Sequence, residues 1–242
     1  MIEPIRTSSP GPMARTTGVV YLLFFLTAIC AGLLVKGLIV PTDAVATAHN
    51  LLAHEALFRS GFAVNLLANA VYIALTALLY NLLRPVNATL SLLAAFFSLV
   101  GCGIQVVFAG LYTFGPLLVL GGDPSLSAFS AAQLQALAFV ILKIGTQAFN
   151  VALVFFGFFD FLIGYLIFRS TFLPRWIGVP MMLAGLGWLT FLYPPLATRL
   201  SPGVQILGFV AELVLLLWLL IKGVNVQRWN EQSGGSQAQP AS

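Results

Sequence analysis

Six apolar stretches recur along the chain, near residues 18–38, 62–83, 88–110, 148–168, 176–194 and 204–221, with short polar, Pro- or Gly-containing segments between them. Each is close to the ~20 apolar residues that a helix needs to cross a hydrocarbon core of ~30 Å. The alternation of a barrel strand is absent, and in lipid a helix satisfies its own N–H and C=O groups. The pattern predicts an all-α integral membrane protein with six transmembrane helices.

Inside these stretches the polar residues fall on single faces. At 100° per residue, Asn65, Asn69, Tyr72, Thr76 and Tyr80 form one stripe on the second helix, and Ser91, Ser98, Gln105 and Tyr112 form another on the third. Gln147, Asn150, Gly157 and Gly164 share a face of the fourth, with Asp160 beside them, and Gln205, Gly208 and Glu212 lie together on the sixth. Such faces are expected to point inward. They either pack helices through small residues and amides or line a polar cavity.

The connecting segments carry their own signals. Between Pro41 and Arg59, Thr42 is a candidate cap for a short helix whose Val45, Ala48, Leu51 and Leu52 would rest on the outer membrane surface. Gly121-Gly122-Asp123-Pro124 predicts a turn, and Ser130-Ala-Ala-Gln133 predicts a capping box opening a helix. Continuous helix from there to Phe168 would measure ~57 Å, longer than the membrane is thick, so it projects outward or breaks near Gly145-Thr146. An offset of 85 residues pairs Ala63 with Ala148, Asn65 with Asn150, Tyr80 with Tyr165 and Arg84 with Arg169, the pattern a duplicated hairpin or a shared interfacial ending would leave.

Composition sharpens this picture. The chain is 60% hydrophobic and 7% charged, whereas soluble domains carry roughly a quarter charged residues. The expected division is an N-terminal segment over 1–14, a membrane domain over 15–224, and a solvated, disordered tail over 225–242. With cytoplasmic N and C termini, Arg6, Arg15, Arg84, Arg169, Arg175, Lys222 and Arg228 lie inside, and Lys36, Arg59, Lys143 and Arg199 lie outside. That bias follows the positive-inside rule. No basic cluster with interleaved aromatics is present, so nucleic acid is not an expected partner.

Candidate chemistry is sparse. Ile29 before Cys30 is too large for a lipoprotein cleavage site, and the apolar run continues to Val40, so the first stretch is expected to be an uncleaved helix. Cys30 and Cys102 fall within spans as packing residues. His49 and His54 would point about 140° apart on a helix, which gives no metal site, and no cofactor fingerprint is present. Two carboxyl groups stand apart from this. Asp160 lies nine residues before Arg169, and Glu212 ten before Lys222, so both sit ~14–15 Å from the inner anchors, near the midplane. An ionisable group at that depth is a functional-site candidate by default. Lys143, ~39 Å from Arg169 along a straight helix, is too far away to neutralise Asp160.

Arg84-Pro85-Val86-Asn87, the run LSLLAAFFSLVGC, the stretch LIGYLIFRSTFLPRWIGV, the segment LAGLGWL and the ending AELVLLLWLLIKGV together resemble the bacterial membrane-protein family catalogued as domain of unknown function 4386. The likeness covers roughly residues 13–224. It implies a multi-pass protein of the bacterial cytoplasmic membrane, and it carries over no catalytic or ligand residues.

Three functions remain open at this stage. A small transporter or ligand-binding protein would use a polar midplane cavity centred on Glu212, with Asp160, Asn65, Asn69, Gln105 and Asn150 as ligand- or proton-binding residues. A structural, sensory or assembly protein would use its glycine faces to bind other helices. An intramembrane enzyme acting on lipid is supported least, because no nucleophile motif or catalytic residue stands out. The expected partners are membrane lipids and a small molecule or proton, and the sequence sets no oligomeric state.

Overall fold

The computed structural model describes residues 9–237. Arg6 and the last five residues of the tail, 238–242, lie outside the described residues. The elements are α1 (Pro10–Val35), α2 (Ala44–Ala53), α3 (Glu55–Leu83), α4 (Ala88–Leu120), α5 (Ala131–Arg169), α6 (Arg175–Leu189), α7 (Pro194–Ile221) and α8 (Val226–Gln237), with single 3-10 turns at Pro124–Leu126 and Thr190–Leu192. Among the described residues there is no strand. Six helices are long and apolar enough to cross a membrane: α1, α3, α4, α5, α6 with its following turn, and α7.

Local sequence explains most of the boundaries. Ser130 and Gln133 form the reciprocal capping box: the Ser130 N–H donates to Gln133 Oε1 at 2.8 Å, and the Gln133 N–H donates to Ser130 Oγ at 3.3 Å. From there α5 runs 39 residues without a break, so Gly145-Thr146 does not interrupt it. The Thr146 hydroxyl donates to the Leu142 carbonyl within the helix, at 3.1 Å. At the other end of α7, Gly223 takes φ +69° and its N–H donates to the Trp218 carbonyl at 2.9 Å, which closes the helix in a left-handed cap.

Three expectations need correction. The cap of α2 is Asp43, whose carboxylate accepts from the Ala46 N–H at 2.9 Å, and not Thr42. Only part of the apolar face expected on the outer surface is left open by α2. Thr47, Ala48 and Leu51 are buried, and Leu51 packs with Leu38, Phe58, Leu117 and Leu142, while Val45 and Leu52 are exposed. The third concerns the tail, where residues 226–237 form a helix. Its Trp229 is buried, and the indole N–H donates to the Leu82 carbonyl at 2.9 Å, a partner that a polar sequence with one tryptophan does not reveal.

By packing, the chain divides into two compact units. The first comprises the described parts of Met1–Leu22 and Leu153–Ser242 together with Tyr72–Leu99. Its core contains Leu75, Leu82, Phe159, Ile163, Ile177, Met181 and Leu215, all at most 2% exposed. The second comprises Leu23–Val71 and Val100–Ala152.

Within the first unit α5 and α6 meet backbone to backbone. A Cβ at Gly164 would lie 2.6 Å from the Met182 nitrogen and 2.7 Å from the Gly178 oxygen, and one at Gly185 would lie 2.5 Å from the Phe161 nitrogen. Gly157 with Gly164, and Gly178 with Gly185, are each seven residues apart, two helical turns, so the glycines form one continuous seam. Small residues at such spacing let membrane helices approach closely. These glycine faces are therefore occupied within the chain.

Candidate functional site

The first unit builds a polar cluster around the two carboxyl groups. Asp160 on α5 is 1% exposed, and Glu212 on α7 is half-buried beside the inward face formed by Gly208, Ala211 and Leu215. The two are electrostatic neighbours. Tyr21 of α1 donates its hydroxyl to the Glu212 carboxyl, and Trp188 of α6 is the side-chain hydrogen-bonding partner of Asp160. Tyr72 of α3 completes the wall, its ring set edge-on to Phe156 at 5.3 Å and Phe159 at 5.9 Å. Among the described residues, no ion pair reaches either carboxyl group, and Asp160 Oδ1 is buried without a hydrogen-bond partner.

Two glycines place Trp188. A Cβ at Gly208 would come within 2.5 Å of the indole Cζ2, and one at Gly157 would come 3.0 Å from Trp188 Cβ. The ring thus lies across bare backbone of α7 and starts from bare backbone of α5. The two glycines that share faces with Glu212 and Asp160 in the sequence are the ones that admit the indole between them.

The other expected site residues lie in the second unit, around a cavity of about 490 Å³. Asn65, Asn69 and Gln105 line it, together with Tyr112, Thr113 and Thr146 and a wall rich in phenylalanine. Asn69 is 4% exposed; its Nδ2 donates to the Asn65 carbonyl at 3.0 Å and to Asn65 Oδ1 at 3.2 Å, and its own Oδ1 is buried without a partner. Neither Asp160 nor Glu212 is part of this lining. The cavity around Asn69 is therefore not centred on Glu212. Asn150 stays outside the lining too, its Nδ2 directed to Gln147 Oε1 on the same helix at 3.3 Å.

The polar stripes read from the sequence turn inward in part: Asn69, Tyr72, Thr76, Ser91 and Ser98 are buried, as are Gly157, Gly164 and Gly208, whereas Gln147 and Gln205 are exposed. Thr76 and Ser98 share a buried hydroxyl contact of 2.6 Å, and the Ser91 hydroxyl donates to the Tyr80 carbonyl at 3.1 Å. Tyr21 and Trp188 were not legible as site residues. An aromatic residue inside an apolar run looks the same whether it faces lipid or a carboxyl group, and only the flanking glycines of LAGLGWL hint at the second. His49, His54 and Cys30 are exposed, and Cys102 is buried in α4.

Comparison with known proteins places these features in context. A family model described as Domain of unknown function (DUF4386) matches residues 16–223. A protein of Archaeoglobus fulgidus, called an uncharacterized protein, is 30% identical over 147 residues, which is 60% of this chain and 72% of its own length. No solved structure matches the chain.

Proposed function

The chain belongs to the family described as Domain of unknown function (DUF4386), and from that premise we propose that it is a small transporter of a bacterial cytoplasmic membrane in which Asp160 and Glu212 bind a proton. Both termini face the cytoplasm in this reading, which puts the larger share of Arg and Lys on that side. The observation that carries the proposal is the electrostatic interaction of two carboxyl groups from different helices, α5 and α7, with no ion pair to either among the described residues. Two carboxyl groups that feel each other's charge in apolar surroundings are suited to binding a proton. Tyr21 and Trp188 act as positioning residues that hold the acids in place.

The assembly reading gains less support. Its motive is the glycine faces, and Gly157, Gly164, Gly178 and Gly185 already pack α5 against α6.

Infrared difference spectroscopy of the full chain in liposomes tests the proton step without knowledge of the solute. A protonated-carboxyl band should titrate with pH in the wild type and should be displaced or lost in Glu212→Gln and in Asp160→Asn. Tyr21→Phe should shift the band and leave it present. An unchanged titration in both acid variants would remove the pair from the mechanism.

A further inference from the structure

The cavity around Asn69 holds no charge. None of its lining residues is Asp, Glu, Lys, Arg or His, so an ion entering it would lose its hydration and find no counter-charge. Phe24, Phe58, Phe62, Phe108 and Phe149 supply most of an apolar wall. The volume of about 490 Å³ lies within the range of small-molecule pockets, which combine such walls with a few placed polar groups. Here the polar groups are amides. Asn69 leaves a buried oxygen unpaired, although its own Nδ2 is engaged with Asn65.

The cavity is also open on one side. Of its lining, Gly32 on α1 and Thr146 and Phe149 on α5 are exposed. Both helices are long and apolar enough to span a membrane, and Phe149 and Thr146 lie ~30 and ~35 Å from Arg169 along α5, so in a spanning chain the opening sits at the outer edge of the hydrocarbon core. Space inside is kept by Gly145, where a Cβ would lie 2.7 Å from Tyr112 Cδ2. The tyrosine ring can lie flat on the wall only because that side chain is missing.

We propose that this cavity binds an uncharged amphipathic molecule, an apolar body bearing a hydroxyl or an N–H, which enters from the bilayer and donates to Asn69. The apolar body fills the phenylalanine-rich space, and its donor pairs the oxygen that the protein leaves unpaired. Gln105 on α4, whose side chain makes no hydrogen bond among the described residues, offers a second polar contact. The inference goes beyond the proposed function and rests on none of its carboxyl chemistry.

A dodecanol carrying a mid-chain diazirine tests it, compared with the matching dodecanoate and dodecane probes on the full chain in nanodiscs. The alcohol should label cavity residues of α3 and α4 saturably, and labelling by the other two probes should be about tenfold weaker, the scale of one well-placed polar contact. Asn69→Leu should lose the preference for the alcohol over the alkane. Ala109→Phe, which fills the space and leaves Asn69 in place, should lose labelling by all three probes. Equal labelling by the three probes, labelling scattered over exposed helix faces, or wild-type labelling in both variants would overturn the proposal. No proton gradient is present, so intact labelling beside a failed infrared titration would sink only the proton step, and the reverse result would sink only this site.

Discussion

In the first unit a methyl group at Gly164, Gly178 or Gly185 would run into backbone of the facing helix. In the second, Gly32, Gly103 and Gly110 face open space, and the tight glycines within its helices meet side chains, Val35 at Gly61, Ile141 at Gly115 and Tyr112 at Gly145, while Gly121 in the turn after α4 meets the Leu117 carbonyl. Backbone cannot yield without moving a helix, whereas a side chain can change rotamer. The unit that carries the acids is thus close-packed at its seam, and the unit that encloses the cavity has walls able to adjust. Among the described residues each unit keeps one buried side-chain oxygen without a partner, Asp160 Oδ1 in the first and Asn69 Oδ1 in the second. Native structures leave few such atoms, and those they leave tend to mark functional sites.

Substitution of glycine probes this contrast with the largest effect. Gly164→Ala should cost about 2–3 kcal/mol, because the added Cβ meets backbone on α6 and the core cannot relax around it. Gly103→Ala, with nothing within 4 Å of the new Cβ, should gain about 0.5–1 kcal/mol through helix propensity. Reversible unfolding in mixed micelles reads both. If the two variants unfold alike, the seam is not a rigid element.

Smaller effects of opposite sign are expected along α3. Thr76 shares its hydroxyl with Ser98 at 2.6 Å inside the first unit, so Thr76→Val should cost about 1 kcal/mol and leave Ser98 unpaired. Asn69, seven residues earlier, ends in an unpaired oxygen at a cavity wall. Asn69→Leu should raise stability by about 0.5 kcal/mol, since removing that oxygen and filling part of the void are partly offset by the loss of the Nδ2 bonds to Asn65. The same unfolding assay measures both, and losses of equal size would mean that Asn69 serves the fold alone.

How much of this the sequence discloses depends on whether the cause is local. The capping box at Ser130 and Gln133, the six spans, and the inward turn of Thr76, Ser98 and Gly157 follow from residue type at helical spacing, and all are legible. Equal distances from Arg169 and Lys222 put Asp160 and Glu212 at one depth, but periodicity along one helix says nothing about which neighbour it faces. Their electrostatic interaction is therefore visible only in the structure, as are Tyr21 and Trp188 beside them. The same limit hides the separation of Asn65, Asn69 and Gln105 from Glu212. Four inward stripes look like one lining until packing assigns them to different units. The Trp229 anchor of α8 depends on a carbonyl 147 residues away in sequence, beyond any local signal.

The smallest effect belongs to the turn after α4 in the second unit. Asp123 Oδ1 accepts from the Ser125 N–H at 2.8 Å and from the Ser125 hydroxyl at 2.7 Å. Both bonds favour the carboxylate and hold Asp123 below the usual aspartate value. A lowered value in the folded state means that the bonds stabilise the turn above the ordinary aspartate range, near about 3.9, and that this contribution fades as pH falls through the folded value. The group is fully exposed, so solvent and salt screen the effect and it should remain local. The Ser125 amide resonance should move as pH is lowered through that window in the wild type and stay in place in Asp123→Asn, with global unfolding unchanged in both. A concerted loss of the second unit over the same window would show that its cavity depends on this turn, and the distinction between a rigid seam and adjustable walls would then have to extend to the loops.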